Sequence, residues 1–479
     1  MPHYLAIDLG ASSGRAILGH LDGDRIELEE VYRFETPVIE DGGHLYWDLA
    51  TLTHEVKTGF EKALEIQPTL RGVSVDSWAV DYVPLDESGQ PLRNPFCYRD
   101  TRTEGMIEKA FETISRADLY GIAGIQYMSF NTLFQMLADQ TNEPELFDRT
   151  HNRLLIADYF NHVLGGKPCI DLSMASTTHL LEARSQKWST EILDAFGIGH
   201  AALPEIVPSG TVIGRTPESI LVSVIASCSH DTGAAVAAVP ADRRSTSDVR
   251  PPTSTDWCYL SLGTWALIGI ENDAPILSQD ALDAGFTNEV GLGGRIRFLK
   301  NLVGMWPLQE CMREWNDTGT VSYDEVIAEA AAVSSAVPSA KLFIDLNDPR
   351  FATPDGMENR LLAYCDELGF QRPANRGELV RIILSSIAAS MREALDDLEA
   401  VLQRQIRTIH IVGGGSQNHL LCQMAADATG CRVTAGPVEA TALGNLLIQA
   451  RTLGDLPDGI TIRDVVRNSF QVTEFDPTN

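Results

Sequence analysis

An apolar run, a short turn of small residues and a second apolar run occur twice in this chain, and that pattern constrains the fold more than any other feature. Near the start, Tyr4 to Leu9 leads into Gly10-Ala11-Ser12-Ser13-Gly14 and then Ala16 to Gly19. Asp22-Gly23-Asp24 follows, and then the alternating Arg25-Ile26-Glu27-Leu28. The segment reads as strand, turn, strand, turn, strand, an antiparallel meander. Much later, Tyr259 to Leu262, a Gly263-Thr264 turn and Ala266 to Ile270 echo it. Gly72 to Val75 and Val80 to Leu85 read as further strands, and helical periodicity covers Glu104 to Leu137 and recurs through His179 to Phe196. A long amphipathic helix, roughly Glu378 to Gln403, places Leu379, Ile382, Ile383, Ile387 and Met391 on one face. It feeds a buried strand, Ile409 to Val412, then Gly413-Gly414-Gly415-Ser416-Gln417-Asn418 and a helix from His419. Strand meanders followed by helices predict an α/β protein. At 479 residues the chain exceeds the roughly 250–300 at which one core stops growing, so two domains are expected. The Arg-, Ser-, Pro- and Asp-rich segment Ala241 to Asp256 reads as an exposed loop between them, leaving parts 1–238 and 257–479.

Charge and composition narrow the function by exclusion. With 37 basic against 66 acidic residues the net charge is -29, a field that repels nucleic acid and anionic membranes. It also repels ATP, so a nucleotide site must be built locally from backbone N–H groups, helix N-termini and a divalent ion. The N-terminal MPHYLAIDLG lacks a basic region and a long apolar stretch, so no signal peptide is expected, and no run is long enough for a membrane span. The 8 cysteines include no C-x-x-C pair and no histidine partner at zinc spacing, which fits reduced thiols in a cytoplasmic enzyme. Small-molecule substrates and a monomer or small homo-oligomer are expected.

Four segments carry possible chemistry. Gly10-x-Ser12-x-Gly14 matches the nucleophile elbow of a hydrolase, but an elbow needs a helix after the turn, and Arg15 to Gly19 reaches another turn too soon. A strand–turn–strand loop instead exposes N–H groups and hydroxyls able to grip phosphates, with Asp8 placed to orient Mg²⁺ through water; a plain hairpin turn is the alternative. In Ser229-His230-Asp231-Thr232-Gly233, Asp231 reads equally as a helix N-cap or as a general base taking a hydroxyl proton. Gly413 to Asn418 fails the dinucleotide fingerprint, yet three glycines allow close backbone approach to a flat ligand. Trp78, Asp81, Arg99, Asp100 and Arg102 suit a sugar, whose C–H face stacks while its hydroxyls are held, or else form a structural ion-pair network under a core Trp.

Together these residues resemble the FGGY carbohydrate kinases, and among them the rhamnulokinase branch. The matching segments are Leu5 to Arg15, Asp76 to Asp81, Tyr98 to Thr103, Gly124 to Met128, Ser229 to Thr232, Ser261 to Trp265, Leu299 to Trp306 and Val412 to Asn418. The Ala-Ser-Ser-Gly-Arg form of the first turn points to that branch. The resemblance implies two actin-like, ribonuclease-H-like α/β domains closing on a cleft, and ATP-dependent phosphorylation of L-rhamnulose at O1. It makes Asp231 similar to the catalytic base, with His230 and Thr232 flanking it, and puts Ala79 and Asn301 at the sugar. Ala11, Ser12, Ser13, Gly14, Arg15, Thr264, Gln309 and Gly414 fall where the family holds ATP. Ala79 stands where the branch usually has Gly, so an extra methyl points toward the sugar. L-Fuculose or a related ketose, a Ser12 hydrolase and a non-catalytic actin-type nucleotide binder are the alternatives.

Overall fold

A computed structural model of the chain describes residues 1–217, 221–241, 256–334 and 342–478. Residues 242–255, and with them most of the loop expected over Ala241 to Asp256, lie outside the described residues. The chain forms two compact units that are interleaved along the sequence. One comprises Met1–Pro240, Glu271–Leu299 and Glu439–Phe470; the other comprises Ala241–Ile270, Lys300–Val438 and Gln471–Asn479. A division into two consecutive parts therefore misses the return of residues 439–470 to the first unit. The cause is a buried polar seam. On the helix Ala440–Thr452, Asn445 donates to the Asp76 carboxylate and Gln449 donates to the Leu5 carbonyl at 2.9 Å.

The first unit is built on a six-stranded sheet in the order Thr211–Arg215, Ser223–Ala226, Leu70–Ser77, His3–Leu9, Ser13–Asp22, Arg25–Glu35. The opening three strands form the expected antiparallel meander, while Leu70–Ser77 runs parallel to His3–Leu9 and to Ser223–Ala226. His3–Leu9 is buried from Tyr4 onward, so it reads as a continuous apolar run, whereas the edge strand Arg25–Glu35 carries the charges. Helices Leu49–Ile66, Ile156–Val163 and Ala440–Thr452 pack against this sheet. The stretch His179 to Phe196 is not a continuous helix. Gln186, at φ 56, turns the chain between the paired strands Leu181–Glu182 and Lys187–Trp188, and Ser189 caps a short helix, Thr190–Ala195. Only the tight turn and the cap separate these pieces, and the helical period of the apolar residues does not reveal either.

The second unit has its own sheet, in which Trp265–Asn272, Trp257–Leu262, Thr408–Val412, Arg432–Ala435 and Thr473–Phe475 lie side by side. The first two form the second antiparallel hairpin, and Trp257–Leu262, Thr408–Val412 and Arg432–Ala435 are parallel. The long helix is Arg376–Leu402, opened by Asn375, whose side chain accepts from the Glu378 amide. Leu379, Ile382, Ile383, Ile387 and Met391 are all buried, as their spacing requires. All 8 cysteines are buried and free. Among the described residues no helix is long and apolar enough to cross a membrane.

Candidate active site

In the first unit the site residues gather at the carboxyl ends of the central parallel strands. His3–Leu9 and Leu70–Ser77 are in register with Asp8 beside Asp76. The Ser77 amide then donates to the Ser229 carbonyl at 2.9 Å, and Ser77 bridges to His230. The end of that strand is thereby fastened to the turn opening the helix Asp231–Ala237. His230 occupies the N-cap position without a side-chain capping bond, and Asp231 is the first helical residue. The N-cap reading of Asp231 is therefore set aside. Its Oδ1 accepts from the Thr232 amide at 2.6 Å and lies 3.4 Å from His230 Nε2, and its side chain keeps 29% exposure.

Burial shifts Asp231 and Asp76, as it does Asp81, Asp158 and Asp171 elsewhere in the first unit. Desolvation pushes Asp231 up to about 6, against the pull of His230 and with the help of the Asp8 charge. Asp76 is fully buried; desolvation, then the charges of Asp8 and Asp231, hold it well above the usual carboxylate range, while Asn445 opposes the shift. Its Oδ1 has no hydrogen-bond partner.

The opening turn is a hairpin, since Ser13–Asp22 is a strand, so Ser12 does not sit on a nucleophile elbow. The Gly10 amide donates to the Ser13 carbonyl at 3.1 Å; Ser12 is exposed, and Ala11 and Ser13 are half-buried. Gly14 is obligatory, because a Cβ there would lie 2.3 Å from the Phe34 ring. Arg15 turns back to donate to Asp8 Oδ2 at 2.7 Å and stands 2.6 Å from Glu439 Oε2. Two carboxylates thus balance its charge, and it orients Asp8 as much as it attracts an anion. Ala79 is half-buried in the bend after Leu70–Ser77, next to Val80 at φ 70.

The set around Trp78 is a structural network. Buried Asp81 accepts from Trp47 Nε1 at 2.7 Å, Trp78 Nε1 at 3.0 Å, Gln135 Nε2 at 2.8 Å and the Tyr98 amide at 3.1 Å. With three donors on Oδ2, one on Oδ1 and no exposure, Asp81 is held by the protein's own groups and not presented to a ligand. Asp100 accepts from the Leu45 and Arg102 amides, Arg102 pairs with Asp139, and the Arg99 guanidinium lies over the Tyr98 ring.

In the second unit Thr264, Gln309 and Gly414 come together at the ends of two adjacent parallel strands, where Ser261 pairs with Val412. Thr264 Oγ1 donates to Gln309 Oε1 at 3.0 Å, and the Met305 amide donates to the Gly263 carbonyl at 2.9 Å. Gly304 makes this clasp possible, since a Cβ there would meet the Gly263 oxygen at 2.6 Å. Gly413, at φ 87, turns the chain sharply, and exposed Gly414 has open space where a Cβ would stand. Half-buried Asn301 lies on Ile296–Val303, away from the Gly-rich turn in sequence and engaged in contacts of its own.

Residues 3–237 match the N-terminal domain of the FGGY family of carbohydrate kinases, and residues 258–453 match its C-terminal domain. The chain belongs to the FGGY family of carbohydrate kinases. A protein named rhamnulokinase from Bacteroides thetaiotaomicron is 39% identical over 482 residues, covering 99% of this chain and 96% of the relative. Another of that name from Bacillus subtilis is 36% identical, covering 99% and 95%. The crystal structure of a xylulose kinase from Lactobacillus acidophilus superposes with a TM-score of 0.76 at 15% identity over 100% of this chain and 94% of that one. A Plasmodium falciparum glycerol kinase with ADP gives 0.75, also at 15%, with the same coverage. This FGGY kinase therefore has the family's α/β fold of two actin-like domains.

The family kinship does not itself reveal several groups that hold the site residues of this FGGY kinase. Glu289, Arg297, Glu439 and Asn445 lie outside the matching segments and carry no local signature; the fold brings Arg297 with Glu289 to Thr232, Glu439 to Arg15 and Asn445 to Asp76. Among the described residues no three His, Cys, Asp or Glu side chains form a ready metal cage. Asp8, with the unpartnered Asp76 oxygen next to it, suits a Mg²⁺ that keeps water and phosphate ligands, as that ion commonly does.

A pH profile checks the electrostatics. With Asp231 titrating near 6, kcat/KM is expected to fall about tenfold per pH unit below that point, because protonation removes the acceptor. An acid limb centred near 4, the ordinary carboxylate range at roughly 3.9, contradicts the desolvation of Asp231.

Proposed function

We propose that this kinase transfers the γ-phosphoryl group of ATP to O1 of L-rhamnulose, giving L-rhamnulose 1-phosphate and ADP, as a step of L-rhamnose catabolism. The observation that carries the reading is the position of Asp231, a partly exposed carboxylate raised to about 6 at a helix start and flanked by His230 and Thr232. The choice of sugar rests on relatives named rhamnulokinase, 36% to 39% identical and aligned over nearly the full chain.

In this reading Asp231 accepts the O1 proton as the hydroxyl attacks. His230, Thr232, Ala79 and Asn301 contact the sugar. The amides of Ala11, Ser12, Ser13 and Gly14 donate to the phosphates, while Arg15 holds Asp8 in place. Thr264, Gln309 and Gly414 hold the nucleotide. Mg²⁺, held with Asp8, supplies positive charge to the transferring group. Phosphoryl transfer asks little covalent chemistry of a protein, and positioning and charge dominate.

A coupled ADP-release assay over free ketoses tests the specificity. Turnover is expected to be Mg²⁺-dependent and highest with L-rhamnulose. If L-fuculose or D-xylulose exceeds it by about tenfold, the discrimination one pocket methyl can supply, the sugar assignment fails and the kinase assignment stands.

A further inference from the structure

The groups flanking Asp231 are held by a buried ion pair that no sequence motif contains. Arg297 is fully buried on Ile296–Val303, and its Nη2 lies 2.9 Å from Glu289 Oε2. Nη1 donates to Thr232 Oγ1 at 2.7 Å, and Nη2 also lies 3.1 Å from His230 Nδ1. Gly233 and Gly291 flank this side chain: a Cβ at Gly291 would crowd its stem at 3.3 Å, while one at Gly233 would only touch the guanidinium at 3.6 Å. The Arg297 charge keeps Glu289 ionised, below the usual carboxylate range despite the opposing effect of burial.

Resting on the assignment of Asp231 as base, we propose that Arg297, fixed by Glu289, is a positioning residue that sets the hydrogen-bond polarity of His230 and Thr232. A guanidinium only donates. Thr232 Oγ1 therefore accepts from Arg297, leaving its own proton for an acceptor oxygen of the sugar. His230 Nδ1 accepts likewise, which places the ring proton on Nε2. That nitrogen lies 3.2 Å from Thr232 Oγ1 and 3.4 Å from Asp231 Oδ1, so its N–H faces both the Thr232 hydroxyl oxygen and the neighbouring carboxylate. Glu289 Oε2, at 3.3 Å from Nδ1, favours the opposite tautomer, but Arg297 Nη2 is closer to that nitrogen, at 3.1 Å, and can only donate to it.

The full-length enzyme, labelled with ¹⁵N-histidine, tests this, with the His230 resonance assigned by its loss in His230→Gln. The expected spectrum shows Nδ1 unprotonated and Nε2 protonated, and Arg297→Met shifts the balance. Removing Arg297 alone strands a buried carboxylate, so the double variant Arg297→Met/Glu289→Gln is also made. It is expected to fold, to keep the KM for ATP, and to lose on the order of 10²-fold in kcat/KM for the sugar, the cost of misplaced catalytic groups. In a Thr232→Val/His230→Gln background the same double change should add little, since both targets are gone. A His230 protonated on Nδ1 in the parent, unchanged sugar kinetics in the folded double variant, or full additivity each overturns the proposal. Normal turnover by Asp231→Asn overturns the underlying assignment instead, and the ¹⁵N spectrum reports on Arg297 independently of that outcome.

Discussion

Asp231→Asn is expected to lower kcat by about 10²–10⁴-fold, the usual worth of a positioned general base. The substitution keeps the shape and a hydrogen-bonding side chain, and its Oδ1 can still accept from the Thr232 amide, a contact of 2.6 Å in the parent. Sugar KM should therefore move much less than kcat. Stability should be nearly unchanged, because His230 holds the N-cap position of the helix and Asp231 lies inside its first turn. The acid limb of the pH profile should disappear with the carboxylate. Steady-state kinetics with ATP and L-rhamnulose, alongside a thermal melt, separates the cases. Near-parental kcat means that another group takes the proton; a large loss of Tm means that the residue was structural.

Gly444→Val should be the most damaging single change remote from the chemistry. Gly444 lies in Ala440–Thr452 where that helix crosses Asp231–Ala237, and a Cβ there would lie 1.9 Å from the Ala234 carbonyl oxygen and 2.5 Å from its carbon. Both are backbone atoms, so no side-chain rotation relieves the clash and the helices must separate. Overpacking of this kind costs about 1–3 kcal/mol or more, on the order of 2–6 °C in Tm for a protein of this size. The displaced helix begins at Asp231, so kcat should also fall by roughly 10²-fold, the cost of a misplacement near 1 Å. A differential scanning calorimetry trace and kcat measured on one preparation check both. A Tm within about 1 °C of the parent, on the per-kcal scale used here, means the two helices can part without strain.

The two meanders, the long helix and the Gly-rich turn were legible from local pattern. Apolar runs broken by small residues admit few alternatives, and buried strands and amphipathic helices carry their period in the chain. The same local logic left one place open and misread another. Asp231-Thr232-Gly233 resembles a capped helix start, but the cap position falls one residue earlier, where the Ser77–His230 bridge pins the chain. His179 to Phe196 has a helical period, but Gln186 turns the chain back on itself.

What the sequence by itself determined is the family, the α/β class and the strand–turn–strand segments at the two ends of the pattern, because each of those is written in contiguous residues. Tertiary structure alone decided how the units divide and what surrounds the base. Residues 439–470 rejoin the first unit because Asn445 and Gln449 satisfy buried polar groups of the first sheet, a need no local pattern expresses. It also decided that Asp81 is spent on two indoles, an amide side chain and a backbone amide, and that Arg297 reaches Thr232 and His230. Such pairings arise from chain segments far apart in sequence, where hydrogen-bond geometry and desolvation act only once the fold has brought the partners together.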